Sequence, residues 1–160
     1  MITTDTHVYF YSGREVYSNW HRTKGQFIDH STGLSFDTSE QHFMWQKARF
    51  FSDELIAAKI AGTVDAAAVK QLGRQVLLYN DKAWECVRLG CMAYSCYLKF
   101  AQNAEWGVQL KDTGSRILVE ASPVDRIWGI GRTVEEAAAG APWDGRNLLG
   151  EALMTVRGLL

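Results

Sequence analysis

The sequence predicts an α+β fold: a single compact domain, 1–160, with a small, mostly antiparallel sheet surrounded by about six helices. Three observations predict it. Segments of helical period dominate, with apolar residues recurring at three- and four-residue steps over 39–51, 54–61, 65–72, 82–102, 104–111 and 148–158. Strand-like runs are few and short, at 7–12, on either side of Ser31-Thr32-Gly33, and at 116–121. No internal repeat, linker or low-complexity tract interrupts the chain.

The bulk numbers set the class. A chain of 160 residues can bury a real core. Apolar residues at 47% against 22% charged describe a globular chain rather than a disordered one. A formal charge of −1 excludes a general electrostatic pull toward nucleic acid, so any such contact must be local. The sequence has no apolar run long enough for a bilayer and no secretory n- and h-regions, so a cytoplasmic location, with no membrane partner, is expected. Cys86, Cys91 and Cys96 are odd in number and five apart, which predicts reduced thiols. Neither these nor the scattered His7, His21, His30 and His42 have metal-ligand spacing, so neither metal nor cofactor is predicted.

In order, His7–Ser12 reads as an aromatic-rich strand leading through a turn to Tyr17-Ser18-Asn19-Trp20. That segment brings two hydrogen-bonding groups beside a stacking surface, although Ser and Asn also serve turns. The runs 26–30 and 34–37 read as a β-hairpin. Asp53 caps a short helix ended by Gly62, and a helix over 65–72 stops at Gly73. Arg74 follows, either complementing the helix dipole or offering a fork for phosphate. Asn80 or Asp81 starts the longest helix, with Trp84, Arg88, Met92 and Ser95 along one side. Trp84 and Arg88, four apart, are a candidate cation–π pair or ligand platform. Ile117-Leu118-Val119 has the compact apolar character of a central strand. The loop after it carries Asp125, Trp128 and a Gly129-x-Gly131 pair, which lets a ligand approach the backbone but lacks the third glycine of a dinucleotide fingerprint. A small helix at 135–139 and the final helix, capped by Asn147, complete the chain.

The most informative stretch is Asp37–Phe51. Thr38 and Gln41 have capping-box spacing. At about 100° per residue, Glu40 and Lys47 fall within roughly 20° of each other, with Phe43, Met44 and Phe51 on the same face. Gln41, Trp45, Ala48, Arg49 and Ser52 take the other side. A carboxylate and an ammonium on the apolar face either snorkel out, form a structural ion pair, or do chemistry, because an unpaired buried charge is expensive.

Five motifs in this order resemble the NADAR superfamily of small α+β N-glycosidases, from about Tyr9 to Arg157. They are Phe10-Tyr11-Ser12 running to Tyr17-Ser18-Asn19-Trp20; Ser39-Glu40-x-x-Phe43-x-x-x-Lys47-Ala48; Gly73-Arg74 with Trp84-x-x-x-Arg88; Leu118–Ser122 running to Asp125-x-x-Trp128-Gly129-x-Gly131; and Gly145-x-Asn147-x-Leu149-Gly150-x-x-Leu153-Met154. The chain differs from the riboflavin-linked branch at Trp20, where Phe is frequent, and at Ile130, where Asp occurs.

The resemblance implies hydrolysis of a C–N bond at ribose C1′. The implied substrates are phosphorylated ribosylamino-pyrimidine intermediates of riboflavin synthesis, or ADP-ribose on guanine, including ADP-ribosylated DNA. It implies Glu40, Lys47 and Asp125 as catalytic candidates, and Ser18, Asn19, Trp20, Arg74, Trp84, Trp128, Gly129, Gly131 and Asn147 as substrate-binding candidates. The competing expectation is a module that binds ADP-ribose without cleaving it.

Overall fold

Backbone contacts divide the chain into two units, residues 1–21 with 103–160, and residues 22–102. The structure, a computed structural model, describes residues 1–160. In chain order the elements are β1 (Ile2–Thr3), β2 (His7–Phe10), β3 (Phe27–Asp29), β4 (Leu34–Phe36), α1 (Ser39–Phe50), α2 (Glu54–Ala61), α3 (Ala66–Gly73) and α4 (Asp81–Ala101). Then come α5 (Ala104–Asp112), β5 (Ile117–Glu120), α6 (Val134–Ala138) and α7 (Leu148–Leu159). The class is α+β, as the element pattern predicts. No helix is long and apolar enough to cross a membrane.

In the first unit, β2 lies between β1 and β5, antiparallel to β1 and parallel to β5. The two-residue β1 is too short to leave a periodic signal. The apolar run 117–119, expected at a sheet centre, forms the edge strand β5 instead. Its Leu118 and Val119 are nonetheless fully buried, and its free edge is covered by a side chain. Asn147 Nδ2 donates to the Leu118 carbonyl at 2.9 Å, and its Oδ1 accepts from the Glu120 amide at 3.0 Å. One amide thus takes the place of a neighbouring strand, which answers the open-edge problem. Asn147 therefore does not cap α7 with its side chain as expected; it sits at the N-cap in the left-handed region, φ 57°, with both amide atoms engaged by β5. Helix α7 lies so close to β5 that a Cβ on Gly150 would come within 2.1 Å of the Leu118 carbonyl oxygen.

In the second unit, β3 and β4 form the expected hairpin. Phe27 and Phe36 project from it onto Leu98 and Trp45. Helix α1 begins as predicted, with the Thr38 hydroxyl accepting from the Gln41 amide. Gln41 does not close the capping box; its Oε1 accepts from the Asp37 amide. Its Nε2 contacts the carbonyls of Ile60, Ala61 and Thr63 at 2.9–3.2 Å, meeting the unsatisfied end of α2. The two-faced helix read from the sequence is consequently only half right. Ser39, Glu40, Gln41, His42 and Phe43 are all buried, so the first turn is enclosed on every side. Ala48, on the face set opposite Glu40, packs with Ile56, Ala57, Ile60, Val69 and Val76. Gly73 ends α3 against α1, where a Cβ would meet Met44 Sδ at 2.1 Å.

Gly150→Ala is expected to lower stability by about 1–3 kcal/mol, because the clash is with backbone that cannot rotate away. Urea denaturation of the purified variant measures this; an unchanged midpoint refutes the packing argument.

Candidate active site

Glu40 and Lys47 stand two turns apart on α1, and α1 is fixed from both ends of the 22–102 unit. Glu40 is only 3% exposed. A carboxylate this dry requires local compensation, and the charge of Lys47 responds to it through space. Lys47 is half-buried; its Nζ donates to the Gly73 carbonyl at 2.8 Å and lies 4.2 Å from the centroid of the Tyr79 ring. Burial lowers the Lys47 pKa from the usual lysine value. Glu40 and Asp81 oppose that fall, and Arg74 adds to it.

Around this pair stands an aromatic cluster. Trp84 packs on Phe43, Phe50 and Phe51 with ring centroids 5.3, 5.8 and 6.3 Å away. The Tyr79 ring meets Phe51 edge-on at 5.4 Å. Trp84 is 4% exposed, so the stacking face expected of it is occupied by the protein's own rings. It acts as a wall of the cluster. Arg88 is also buried, and its Nη2 meets Glu85 at 3.0 Å. The expected Arg74 lies at the C-cap of α3, exposed to solvent and electrostatically coupled to Lys47. Residues 22–102 thus bring together Glu40, Lys47, Arg74 and Trp84 of the predicted set.

The remaining candidates belong to the other unit. The Ser18–Trp20 segment lies in turns, fastened where the Tyr17 hydroxyl donates to the Gln109 carbonyl and where His21 meets Trp106 edge-on. Ser18 is buried and its Oγ accepts from the Trp20 amide; Asn19 is half-buried, and Trp20 is 37% exposed. Asp125 Oδ1 accepts from the amides of Ile127 and Trp128 at 2.9 and 2.8 Å, so one of its oxygens holds the turn. Trp128 is half-buried.

The space expected beside Gly129 and Gly131 is taken by the chain itself. A Cβ on Gly129 would lie 2.9 Å from the Glu120 and Asp125 carbonyl oxygens, and one on Gly145 would lie 2.4 Å from that of Gly129. Gly131 adopts φ 68°, a conformation that favours glycine. The carbonyls of Ile127, Trp128 and Gly129 accept from the amides of Leu148, Leu149 and Asn147. These are amides at the start of α7, a place where an anion is otherwise welcome. Asn147, Gly129 and Gly131 therefore shape the loop.

Sequence reasoning passed over three polar groups, two of them buried and one exposed. Lys99 is 1% exposed, with its pKa lowered to about 8 by burial; it continues the Trp84, Arg88, Met92, Ser95 stripe by one turn, which was the available signal. Tyr79 lies in an irregular segment with no period. His42, fully buried, has Nε2 3.3 Å from Asp29 Oδ2 and Nδ1 3.0 Å from Ser95 Oγ. An anionic Asp29 favours the tautomer with the proton on Nε2, leaving Nδ1 as an acceptor within 3.4 Å of Gln46 Nε2, while the Ser95 hydroxyl donates to the Cys91 carbonyl. Tyr94 and Ser31 hold the Asp29 carboxylate from its other side.

Helix α1 carries a buried acid and a part-desolvated amine, with Trp84 of α4 packed beside them on Phe43, an arrangement suited to acid–base chemistry in a small α+β enzyme. The sequence profile of the NADAR domain matches residues 9–160. The chain is 32% identical to N-glycosidase R617 of Acanthamoeba polyphaga mimivirus over 163 aligned residues, covering 96% of each protein. It is 30% identical to N-glycosidase YbiA of Escherichia coli (strain K12), covering 98% of this chain and 89% of that one. The NMR structure of E. coli YbiA superposes with a TM-score of 0.78 at 28% identity, covering 99% of this chain and 86% of that one. The chain belongs to the NADAR domain family, and it is an enzyme of the N-glycosidase class.

The His42 network makes stability depend on pH. Burial lowers the His42 pKa from 6.5 to about 4, against the pull of Asp29. The unfolded chain therefore binds the extra proton first, and stability present above pH 6.5 is lost as pH falls toward 4, by roughly 3 kcal/mol at most. Urea midpoints at pH 7 and pH 5 are expected to differ in the wild type and to converge in His42→Gln. Equal wild-type midpoints at the two pH values contradict the assignment.

Proposed function

We propose that the chain hydrolyses the bond between ribose C1′ and an amine or base nitrogen, with the substrate ribose carrying phosphate: ADP-ribosylated guanine, free or in DNA, or a phosphorylated ribosylamino-pyrimidine. The observation that carries this reading is the burial of Glu40. As nitrogen departs, positive charge builds at C1′ and the ring oxygen. A carboxylate stripped of water stabilises that charge far better than a solvated one, or takes a proton from the attacking water.

Lys47 has chemistry to match. Its lowered pKa suits an amine that gives a proton to the departing nitrogen, and the same property suits attack on C1′ of an opened ribose. Arg74, exposed and with five donors in a fixed fork, is the proposed phosphate anchor. Trp20 and Trp128 are the proposed stacking surfaces for a flat base, with Ser18 and Asn19 as hydrogen-bonding groups. Asp125 keeps one oxygen outside its turn for a ribose hydroxyl. Trp84, packed on Phe43, Phe50 and Phe51, backs the aromatic cluster rather than stacking on substrate. The general base scheme of paired-carboxylate glycosidases is an analogy, since there the leaving atom is oxygen.

Glu40→Gln, nearly the same in shape, is expected to reduce release of free base or amine by at least about 100-fold while leaving the fold intact. The assay offers purified protein an ADP-ribosylated guanine nucleotide and a phosphorylated ribosylamino-pyrimidine separately and identifies products by mass spectrometry. Wild-type turnover by the variant removes Glu40 from the mechanism. Tight binding of both compounds by the wild type, with neither cleaved, replaces the proposal by that of an ADP-ribose-binding module.

A further inference from the structure

The segment joining α3 to α4 carries an unexpected combination. Leu77, Leu78 and Tyr79 are consecutive and all exposed, at 68%, 87% and 44%. Leu78 adopts φ 54°, a left-handed conformation that costs a leucine free energy. A strained backbone that leaves both leucines toward solvent gains little from burying them. Something else must hold it.

The hydrogen bonds show what it holds. The Leu77 amide donates to Asp53 Oδ2 at 2.9 Å, and Asp53 is also the N-cap of α2. The Tyr79 hydroxyl donates to Asp81 Oδ1 at 2.7 Å, in the first turn of α4. The turn at Leu78 is pinned on both sides, and its product is the position of one ring. That ring lies 4.2 Å from Lys47 Nζ, while the carbonyl of Gly73, at the start of the same segment, accepts from Lys47 at 2.8 Å.

We infer that Tyr79 is a positioning residue for Lys47: the face of its ring and the Gly73 carbonyl fix the amine, and the bond to Asp81 fixes the ring. The inference rests on the reading that Lys47 belongs to the active site. A cation over an aromatic face is attracted by the ring's quadrupole, and the ring also keeps water from the amine. Its two effects oppose each other, and burial is the larger influence on Lys47. The charged groups acting on Lys47 are Glu40 from α1, Arg74 from the end of α3 and Asp81 from α4. Glu85 and Arg88 of α4 act on Tyr79, whose own hydroxyl is pushed up to about 12 by burial and by Asp81. The phenol thus stays neutral as a donor to Asp81 across the working pH range.

The test compares Tyr79→Phe with Tyr79→Leu in full-length protein. Tyr79→Leu is expected to lower kcat about tenfold with KM changed by less than about threefold, because the ring orients the amine rather than the substrate. In the same variant, water reaches Lys47, and its titration, followed by NMR of the labelled side-chain amine without substrate, moves up toward the ordinary lysine value. The limb of the pH–rate profile that belongs to Lys47 moves with it. Tyr79→Phe keeps the ring and is expected to retain most of kcat. Since Tyr79 is part-exposed, neither change should prevent folding, and circular dichroism of each variant verifies that.

An unchanged kcat and an unchanged Lys47 titration in Tyr79→Leu overturn the inference. So does a loss carried by KM alone, which makes Tyr79 a substrate-stacking residue. If Lys47→Ala itself turns over normally, the proposed role of Lys47 fails instead, and the Lys47 titration in Tyr79→Leu still reports whether the ring governs the amine.

Discussion

A carboxylate kept out of water at residue 40 is the condition to which α1 and its neighbours are fitted. A buried charge destabilises the fold unless its surroundings supply polarity without supplying solvent. The first turn of α1 meets this by burying polar residues together. Thr38 receives the Gln41 amide, Gln41 links Asp37 to the end of α2, and His42 ties α1 to Asp29 of β3 and Ser95 of α4. Gln46 adds bonds to the Cys91 carbonyl and to Ser95. None of these groups needs to touch substrate. Together they make α1 a rigid element on which one acid can be held dry, and the pH sensitivity of His42 is a side effect of using an imidazole as a fastener.

The unit of residues 1–21 and 103–160 solves a different problem by similar means. A three-stranded sheet has two edges, and β5 exposes one of them. Asn147 satisfies it with an amide, and Gly150 lets α7 come down directly behind. The loop 122–131 is then locked because its carbonyls receive the amides at the start of α7. The glycines here permit backbone to approach backbone. That is a structural use of the same property that elsewhere admits a phosphate, and spacing alone does not separate the two.

This marks the boundary of what could be read from the chain. The helix over 39–50, its Thr38 cap, the hairpin and the Asp53 cap were all legible, and the start of α4 was narrowed to Asn80 or Asp81, because capping and turn chemistry depend on residues within four positions. The common face of Glu40 and Lys47 was legible for the same reason. The burial of Gln41 and Ala48 on the opposite face was not, since it depends on α2 and α3 packing there. Asn147 looked like a cap because its partner on β5 is 27 residues away. Trp84 looked like a free stacking face because the phenylalanines that cover it lie more than thirty positions upstream. Tyr79 left no trace at all, since its place is set by a strained turn rather than by a period.

The partners of Lys47 bear directly on the proposed chemistry. The Gly73 carbonyl and the Tyr79 ring are both uncharged, yet each attracts an ammonium. They give Lys47 a defined position from neutral groups, while burial lowers its pKa. Glu40 acts on the amine through space, opposing that fall. An amine held by a carbonyl and a ring keeps its place when its protonation changes, which is what either proposed role, proton donor or nucleophile, requires of it.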